Sequence, residues 1–354
     1  VKADYTDRAG YHETHIGTAN APAADTAADT FARAHLPAGE PYRVVANLGE
    51  AKAAIAAGPD LQNLVISDGT HHALLRHNSA GHHDDAYPAG WTATYAGTIP
   101  TAAYHEGGQD LTVALQRALN AAKTLHLGVD LAPNSEYQIS STIHIENGVA
   151  WLHGNGSTLH IAASVEKAAL NLKNGAENGQ ISGLHLDMQN APDTHGIMAH
   201  DINHYTISNN HIHHLNGGAA EAVGIAVYSG SSHSKNNTLT HNHIHADNEH
   251  TVGISLNAAR YNNPAYRNAQ APIWQEYIEQ GTLAAPDTSR AISHNTIAWN
   301  HISGSYYGIS LSTVGESNIH HNHLDQNTRN LSIQNSSHNN HIHHNQLTDA
   351  LSSA

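Results

Sequence analysis

Tyr228, His200, Asp201, His195 and Asp193 fall within one short stretch of the chain and are the residue types that move protons. Taking a proton from a carbon beside a carboxylate needs a base. It also needs something that neutralises the carboxylate, so that the carbanion costs less. Tyr228 beside His200 and Asp201 would supply the first, with His195 and Asp193 nearby, and Arg260 or Lys235 the second. The same stretch offers two other chemistries. Asp187 with Asp193, or Asp193 with Glu221, would make the carboxylate pair that glycoside hydrolysis requires. Alternatively Asp187 and Glu221 would hold a calcium ion that bridges to an anionic substrate, as oxygen-rich clusters do.

A second group of residues reads as binding machinery. The segment at about 258–290 concentrates aromatics and arginines that are scarce elsewhere, including Arg260, Tyr261, Arg267 and Trp274. Aromatic faces stack on sugars and guanidinium forks grip carboxylates. Long loops on rigid scaffolds are where such residues gather. The competing reading is a short helix that packs Trp274 and Ile278 on a flank. Tyr307 and Arg329 extend the same set further along.

These residues must be positioned by something, and a repeat supplies it. The phrase Ile207-Ser208-Asn209-Asn210-His211-Ile212 returns as 239–244, 297–302, 319–324 and 342–347, each time with an Asn between two aliphatic residues. The Asn-to-Asn intervals are 32, 58, 22 and 23. The last two are the length of one short structural repeat, and the longer ones imply insertions, the largest falling at 258–290. Gly-Ile pairs at 196–197, 224–225, 253–254 and 308–309 precede the copies. Such self-similarity predicts a β-solenoid. Alternation along Gly224–Tyr228 turns Ile225 and Val227 inward and Ala226 and Tyr228 outward. The same register sets His200, Tyr228, Asn257, Ser312 and Gln334 in one outward column, rungs about 4.8 Å apart. The recurrent Asn is expected at a turn, bonded to its equivalents in neighbouring coils.

Upstream, the 3–4 spacing of Leu111, Ala114, Leu115, Ala118, Leu119 and Ala122 predicts a helix over 108–123. Strand-like runs follow at 129–131, 137–145 and 149–153. The helix motif Gly-x-x-Asp-x-x-x-Ala-Leu-Gln-x-Ala-Leu, then Leu131-Ala132-Pro133 with Tyr137 and Ile139, then Gly154-Asn155-Gly156-Ser157-Thr158-Leu159, resembles the start of pectate-lyase-like right-handed parallel β-helices. The resemblance covers about 105–350. It implies an all-β fold whose helix caps the open end and shields its edge. The superfamily includes polysaccharide lyases, uronate epimerases, galacturonan hydrolases and phage tailspikes. In its lyases and epimerases the base or acid is often Tyr, His, Lys or Arg, which agrees with Tyr228 as the central residue. The Asp-Pro-His-Glu motif of some mannuronan epimerases and the paired-Asp motifs of galacturonan hydrolases are absent. Residues 1–105 would form an arm, or a first coil with an extra segment, with a helix at Leu48–Ala57 and a strand and turn at 64–70. Residues 106–354 would form the β-helix.

Composition narrows the setting. Aromatics are 5 % of the 354 residues and charged residues 13 %, about half the usual share, so Asn, His, Ser and Thr carry the surface. The formal net charge is −15, and 34 histidines stand ready to offset it. Half-protonated they would supply about +17, so surface charge should swing between mildly acidic and neutral pH. A negative surface disfavours nucleic acid and anionic membranes as partners. There is no cysteine and no apolar run of membrane-spanning length. The chain begins at Val1 without a leader, as a secreted or periplasmic protein would after processing. The expectation is a secreted lyase or epimerase acting on an acidic polysaccharide, monomeric or homotrimeric. A hydrolase or tailspike-type depolymerase, and a non-enzymatic adhesive solenoid, are the alternatives.

Overall fold

The computed structural model describes residues 26–349, apart from 174, 230–232, 259–291 and 335–336, together with two short paired strands at Thr6–Asp7 and Gly10–Tyr11. Each copy of the repeat folds as polar–aliphatic–polar strands joined by sharp corners. Strands such as Thr206–Ser208, Thr238–Thr240, Thr296–Ala298 and Asn318–His320 stack in a nine-stranded sheet. After the corner, His211–Leu215, His243–Ala246, His301–Ser303 and His323–Asp325 stack in an eight-stranded sheet. The Gly-Ile phrases lie in a seven-stranded sheet that contains His195–His200, Ala222–Tyr228, Thr251–Asn257, Tyr307–Ser312 and Arg329–Gln334. Neighbours in the three sheets pair in parallel, each coil on the next.

Register puts one aliphatic column inside from each of the nine- and eight-stranded sheets. Ile181, Ile207, Leu239, Ile297 and Ile319 align in the nine-stranded sheet, and Leu186, Ile212, Ile244, Ile302 and Leu324 in the eight-stranded one. All ten are essentially sealed from solvent. A slip of one residue would turn every such side chain outward, so burial enforces the register. The glycine before the aliphatic residue answers to the same crowding. A Cβ on Gly224 would sit 2.7 Å from the Gly253 carbonyl oxygen and 2.7 Å from the Ile244 side chain.

The corners are closed by asparagine. Asn210, Asn242, Asn300 and Asn322 are each 1 % exposed. The Asn242 backbone N–H and Nδ2 both donate to Asn300 Oδ1, at 2.9 and 3.0 Å, while Nδ2 also donates to the Ile207 carbonyl at 2.9 Å. Asn300 repeats the pattern on Asn322 and Leu239, and Asn322 on Asn345 and Ile297. The residue before each Asn is left-handed: φ is 55° at Asn209, 56° at His241, 60° at Trp299 and 55° at His321. A second ladder runs through Asn237 and Asn295 to Ser317 and Asn340. These amides satisfy backbone groups that turn away from the sheet ladders inside the protein.

The helix upstream begins later than its apolar spacing suggests, at Thr112, and runs to Leu125. Gly107 and Gly108 have φ of 102° and 90°, and Asp110 bridges to Gln138, so 108–111 join the first coil rather than the helix. Asp110 Oδ1 accepts the Thr112 N–H at 2.8 Å. Leu111, Leu115, Ala118, Leu119 and Ala122 pack into the same core as the coils. The run at 137–145 turns a corner and splits into Glu136–Ile139 and Ile143–Ile145, which belong to different sheets. Before it, helices Thr26–His35 and Leu48–Ala57 pack on a four-stranded sheet formed by Arg43–Val45, Asn63–Ser67, His72–His77 and Trp91–Tyr95. His71 joins this part to the coils. It lies 3.2 Å from Asp68 and 3.7 Å from Asp130, a buried carboxylate that also receives Trp151 Nε1 and Asn155 Nδ2. Among the described residues no helix is long and apolar enough to cross a membrane.

Histidine forms a ladder of its own on the outer face of the eight-stranded sheet. Ring centroids lie 4.6 Å apart for His211–His243, 4.6 Å for His243–His301 and 4.7 Å for His301–His323, all nearly parallel. Burial, reinforced by neighbouring imidazoles, lowers His211 to about 4 and pulls His243 and His301 down as well.

Two outcomes are expected. Asn300→Ala strands the Asn242 backbone N–H and the Leu239 carbonyl, and leaves the Asn322 amide oxygen with only the backbone N–H of residue 300. At about 1–3 kcal/mol per buried unsatisfied group, the loss should reach about 3 kcal/mol in urea unfolding. The depressed histidines bind fewer protons folded than unfolded, so their contribution is complete above the unfolded value of about 6.5. It is lost as pH falls from there toward about 4, the His211 value. Melting temperature should therefore drop through this window, and His211→Gln should flatten the drop.

Candidate active site

The seven-stranded sheet brings together the residues singled out for proton transfer. His200 pairs with Tyr228, Tyr228 with Asn257, Asn257 with Ser312 and Ser312 with Gln334, a continuous column along the coils. Ile225 and Val227 point into the main core, while Ala226 and Tyr228 face the other way, as strand alternation requires. That other side is not a bare wet surface. Val223, Ala226, Tyr228 and Val252 form a second apolar cluster, with Met198 and Tyr307 packed against it. Tyr228 is 4 % exposed, His200 6 % and Asp201 2 %. His195 is half-buried and so is the most accessible of the four.

The Tyr228 ring stacks on His200, with centroids 5.4 Å apart and planes 28° off parallel. Its hydroxyl lies 3.5 Å from His195 Nε2, the outer limit of a hydrogen bond. His195 Nδ1 accepts the Val223 backbone N–H at 3.1 Å. A neutral imidazole has one lone pair and one N–H, so this bond places the proton on Nε2, directed at the phenol oxygen. Burial lowers His200 to about 4 against the opposing pull of Asp201, so at neutral pH it is an uncharged plate beneath the phenol. Asp201 takes a left-handed turn (φ 54°) and its N–H donates to the Tyr228 carbonyl at 3.1 Å. The arrangement is a phenol oxygen faced by an imidazole donor whose tautomer the backbone fixes. It can hold charge that appears on that oxygen when the phenol gives up its proton.

The remaining candidates fall elsewhere. Asp193 is left-handed (φ 60°) and braces a loop. Its carboxylate accepts the backbone N–H groups of Gly218, Ala219 and Ala220. Those bonds, from Ala220 and Gly218 first, hold it below the ordinary carboxylate range. Asp187 closes strand His185–Asp187 in the eight-stranded sheet, away from the Tyr228 sheet, and receives His160 Nδ1 at 2.9 Å. Burial pushes Asp187 up, but the His160 bond and the Gln189 N–H outweigh it and lower it on balance. A glycosidase acid needs the opposite shift, which neither aspartate has. Glu221 immediately precedes strand Ala222–Tyr228, so it and Asp187 lie on separate sheets. Lys235 lies in the two-residue strand Ser234–Lys235 just beyond Tyr228 in the chain. Tyr307 shares the Tyr228 cluster, and its strand partner Arg329 has its guanidinium 5.8 Å from the Tyr306 ring and 5.9 Å from the Tyr307 ring. Arg260, Tyr261, Arg267 and Trp274 lie outside the described residues.

Sequence reasoning missed the Val223 N–H, the loop at 218–220 and Tyr306. Only the last carried a signal, as one of two adjacent tyrosines beside the Gly-Ile phrase.

Neither a protein-family model nor a curated protein matches the sequence. Solved structures do. The tailspike protein gp49 from Acinetobacter baumannii bacteriophage Fri1, a capsular polysaccharide depolymerase, matches 78 % of this chain and 51 % of its own, with TM-score 0.51 and 10 % identity. The chain is a parallel β-helix. It spans about half the length of that tailspike. The A-module of the Azotobacter vinelandii mannuronan C-5 epimerase AlgE4 matches 68 % of this chain and 75 % of its own, at TM-score 0.29 and 13 % identity.

Asp193→Ala removes the acceptor for three backbone N–H groups in an exposed loop. Hydrogen exchange should speed up at 218–220 while amides of the Asn ladder keep their protection.

Proposed function

We propose that this β-helix is a polysaccharide-modifying enzyme whose reaction centre is Tyr228, and that it removes the proton beside a uronate carboxylate, as a lyase or a C-5 epimerase. The observation that carries the proposal is the Tyr228 hydroxyl opposite a His195 Nε2–H held in place by the Val223 backbone. Tyr228 gives its own proton to solvent to become the base and then takes the proton from the sugar carbon onto its phenolate oxygen, while the His195 N–H stabilises that phenolate before the transfer. His195 is the outermost member of the set, so the sugar carbon approaches along its edge. Calcium remains available in this proposal as a bridge between the acidic surface and a polyanion.

Columns that run along the coils suit a polymer. Arg329 lies three strands beyond Tyr228 and at the level of Val223 along them, an offset of about 14 Å across the strands and about 17 Å along them. At that distance it binds a more distant sugar of the polymer rather than the reacting one. The tailspike's activity on capsular polysaccharide supports a polymeric glycan as substrate. An exported location, secreted or periplasmic, goes with such a substrate. Hydrolysis is the weaker reading, because Asp187 and Asp193 are both held in their ionised form.

Alginate, pectate and glucuronan would be incubated with the protein while ultraviolet absorbance of the unsaturated product is followed. A rise indicates elimination, and solvent-proton exchange at the uronate without cleavage indicates epimerisation. Tyr228→Phe should lower kcat by about 10²–10⁴-fold. Arg329→Ala should mainly raise KM. New reducing ends without unsaturation would replace this reading with hydrolysis. No change on any glycan, or full activity in Tyr228→Phe, would sink it.

A further inference from the structure

On a face separate from Tyr228, we infer a binding site for one zinc-class divalent ion, held by Asp187, His213 and His214. Each of the three offers a ligand atom within 4.8 Å of the others. Asp187 Oδ1 is 3.9 Å from His213 Nδ1. Ligand atoms around a tetrahedral zinc are about 3.3 Å apart, so modest side-chain rotation closes the set. Water would take the fourth position.

Two features separate this cluster from the other histidines on the same sheet. The first is backbone. In a regular strand His213 and His214 would point to opposite faces. Here the pairing with His243–Ala246 shifts register between Ile212 and Leu215, and His214 turns left-handed at φ 57°. The irregularity brings both rings to the outer face, and bulges commonly re-aim side chains in this way at functional sites. The second is ring geometry. His213 and His214 cross at 66°, with centroids 4.9 Å apart, so their in-plane lone pairs can converge. In the ladder, His301 and His323 stack 5° from parallel, and their lone pairs run side by side without meeting. Asp325 completes a comparable trio with that pair, which therefore serves as the control.

The surroundings match those of a metal-bound histidine. His214 Nδ1 is 3.2 Å from Asp247 Oδ2, and His160 Nδ1 is 2.9 Å from Asp187 Oδ2. Ligating imidazoles characteristically donate their second N–H to a carboxylate, which fixes the ring and strengthens the donor. With Nδ1–H given to Asp247, the His214 lone pair is at Nε2. Two imidazoles and one carboxylate favour zinc, or a neighbouring first-row ion, over calcium, which takes oxygen ligands.

The test uses the full chain without an affinity tag, titrated with zinc chloride in a calorimeter at pH 7.5. One zinc per chain should bind, and excess calcium should not displace it. His214→Gln and Asp187→Asn should abolish that site, Asp247→Asn should weaken it about 10–100-fold, and His323→Gln should leave it intact. Zinc-edge absorption should show two imidazole ligands. Circular dichroism of each metal-free variant separates loss of ligand from loss of fold. Binding that is multiple and insensitive to His214→Gln and Asp187→Asn, or lost equally in His323→Gln, is adventitious and overturns the site.

Discussion

Every coil of this protein must bury corners where backbone groups leave the sheet ladders, and those groups need partners that water cannot supply. The asparagine amides are those partners. Asn242, Asn300 and Asn322 each take two hydrogen bonds at the amide oxygen from the coil before and donate their own N–H groups to coils on both sides. Burial of the aliphatic columns already forbids a one-residue slip, and amides with fixed donors and acceptors pin the same alignment at the corners. Together they set the register, and the register sets which side chains face out in columns. Tyr228 beside His200, and His211 beside His243, are consequences of it.

The frame was largely legible in the residues. An aliphatic residue, an Asn and another aliphatic at fixed spacing is a pattern that few folds require. Alternation from Gly224 to Tyr228 was enough to align His200 with Tyr228 and Tyr228 with Asn257. What alternation does not encode is the packing beyond the strand. It identifies the side Tyr228 faces but not that Val223, Val252 and Tyr307 wrap it in apolar contacts. Nor does sequence show that Asp193 is spent on backbone amides 25 to 27 residues away. The helix onset failed for a similar reason. Leu111 fits the helical spacing, yet a bridge to Gln138 claims the residues before it.

His213 and His214 mark the boundary between these cases. The phrase His211-Ile212-His213-His214-Leu215 breaks two-residue alternation, so a disturbance could have been read there. That the disturbance crosses the two rings and brings them to Asp187 depends on backbone geometry in the neighbouring coil. The two candidate sites thus differ in kind. One uses the regular lattice of the seven-stranded sheet, and the other uses a flaw in the eight-stranded one.

Asn242 and Asn300 are 58 residues apart in the chain, Asn300 and Asn322 only 22, yet the amide contacts are 3.0 and 2.9 Å. By the logarithmic cost of closing a longer loop, the difference amounts to about 1 kcal/mol. The coil stack is thus nearly indifferent to how much chain departs and returns at a corner. Segments inserted there can lengthen, shorten or be exchanged while Tyr228 and its neighbours keep their places. Inserted loops and scaffold stability are free to evolve on separate schedules.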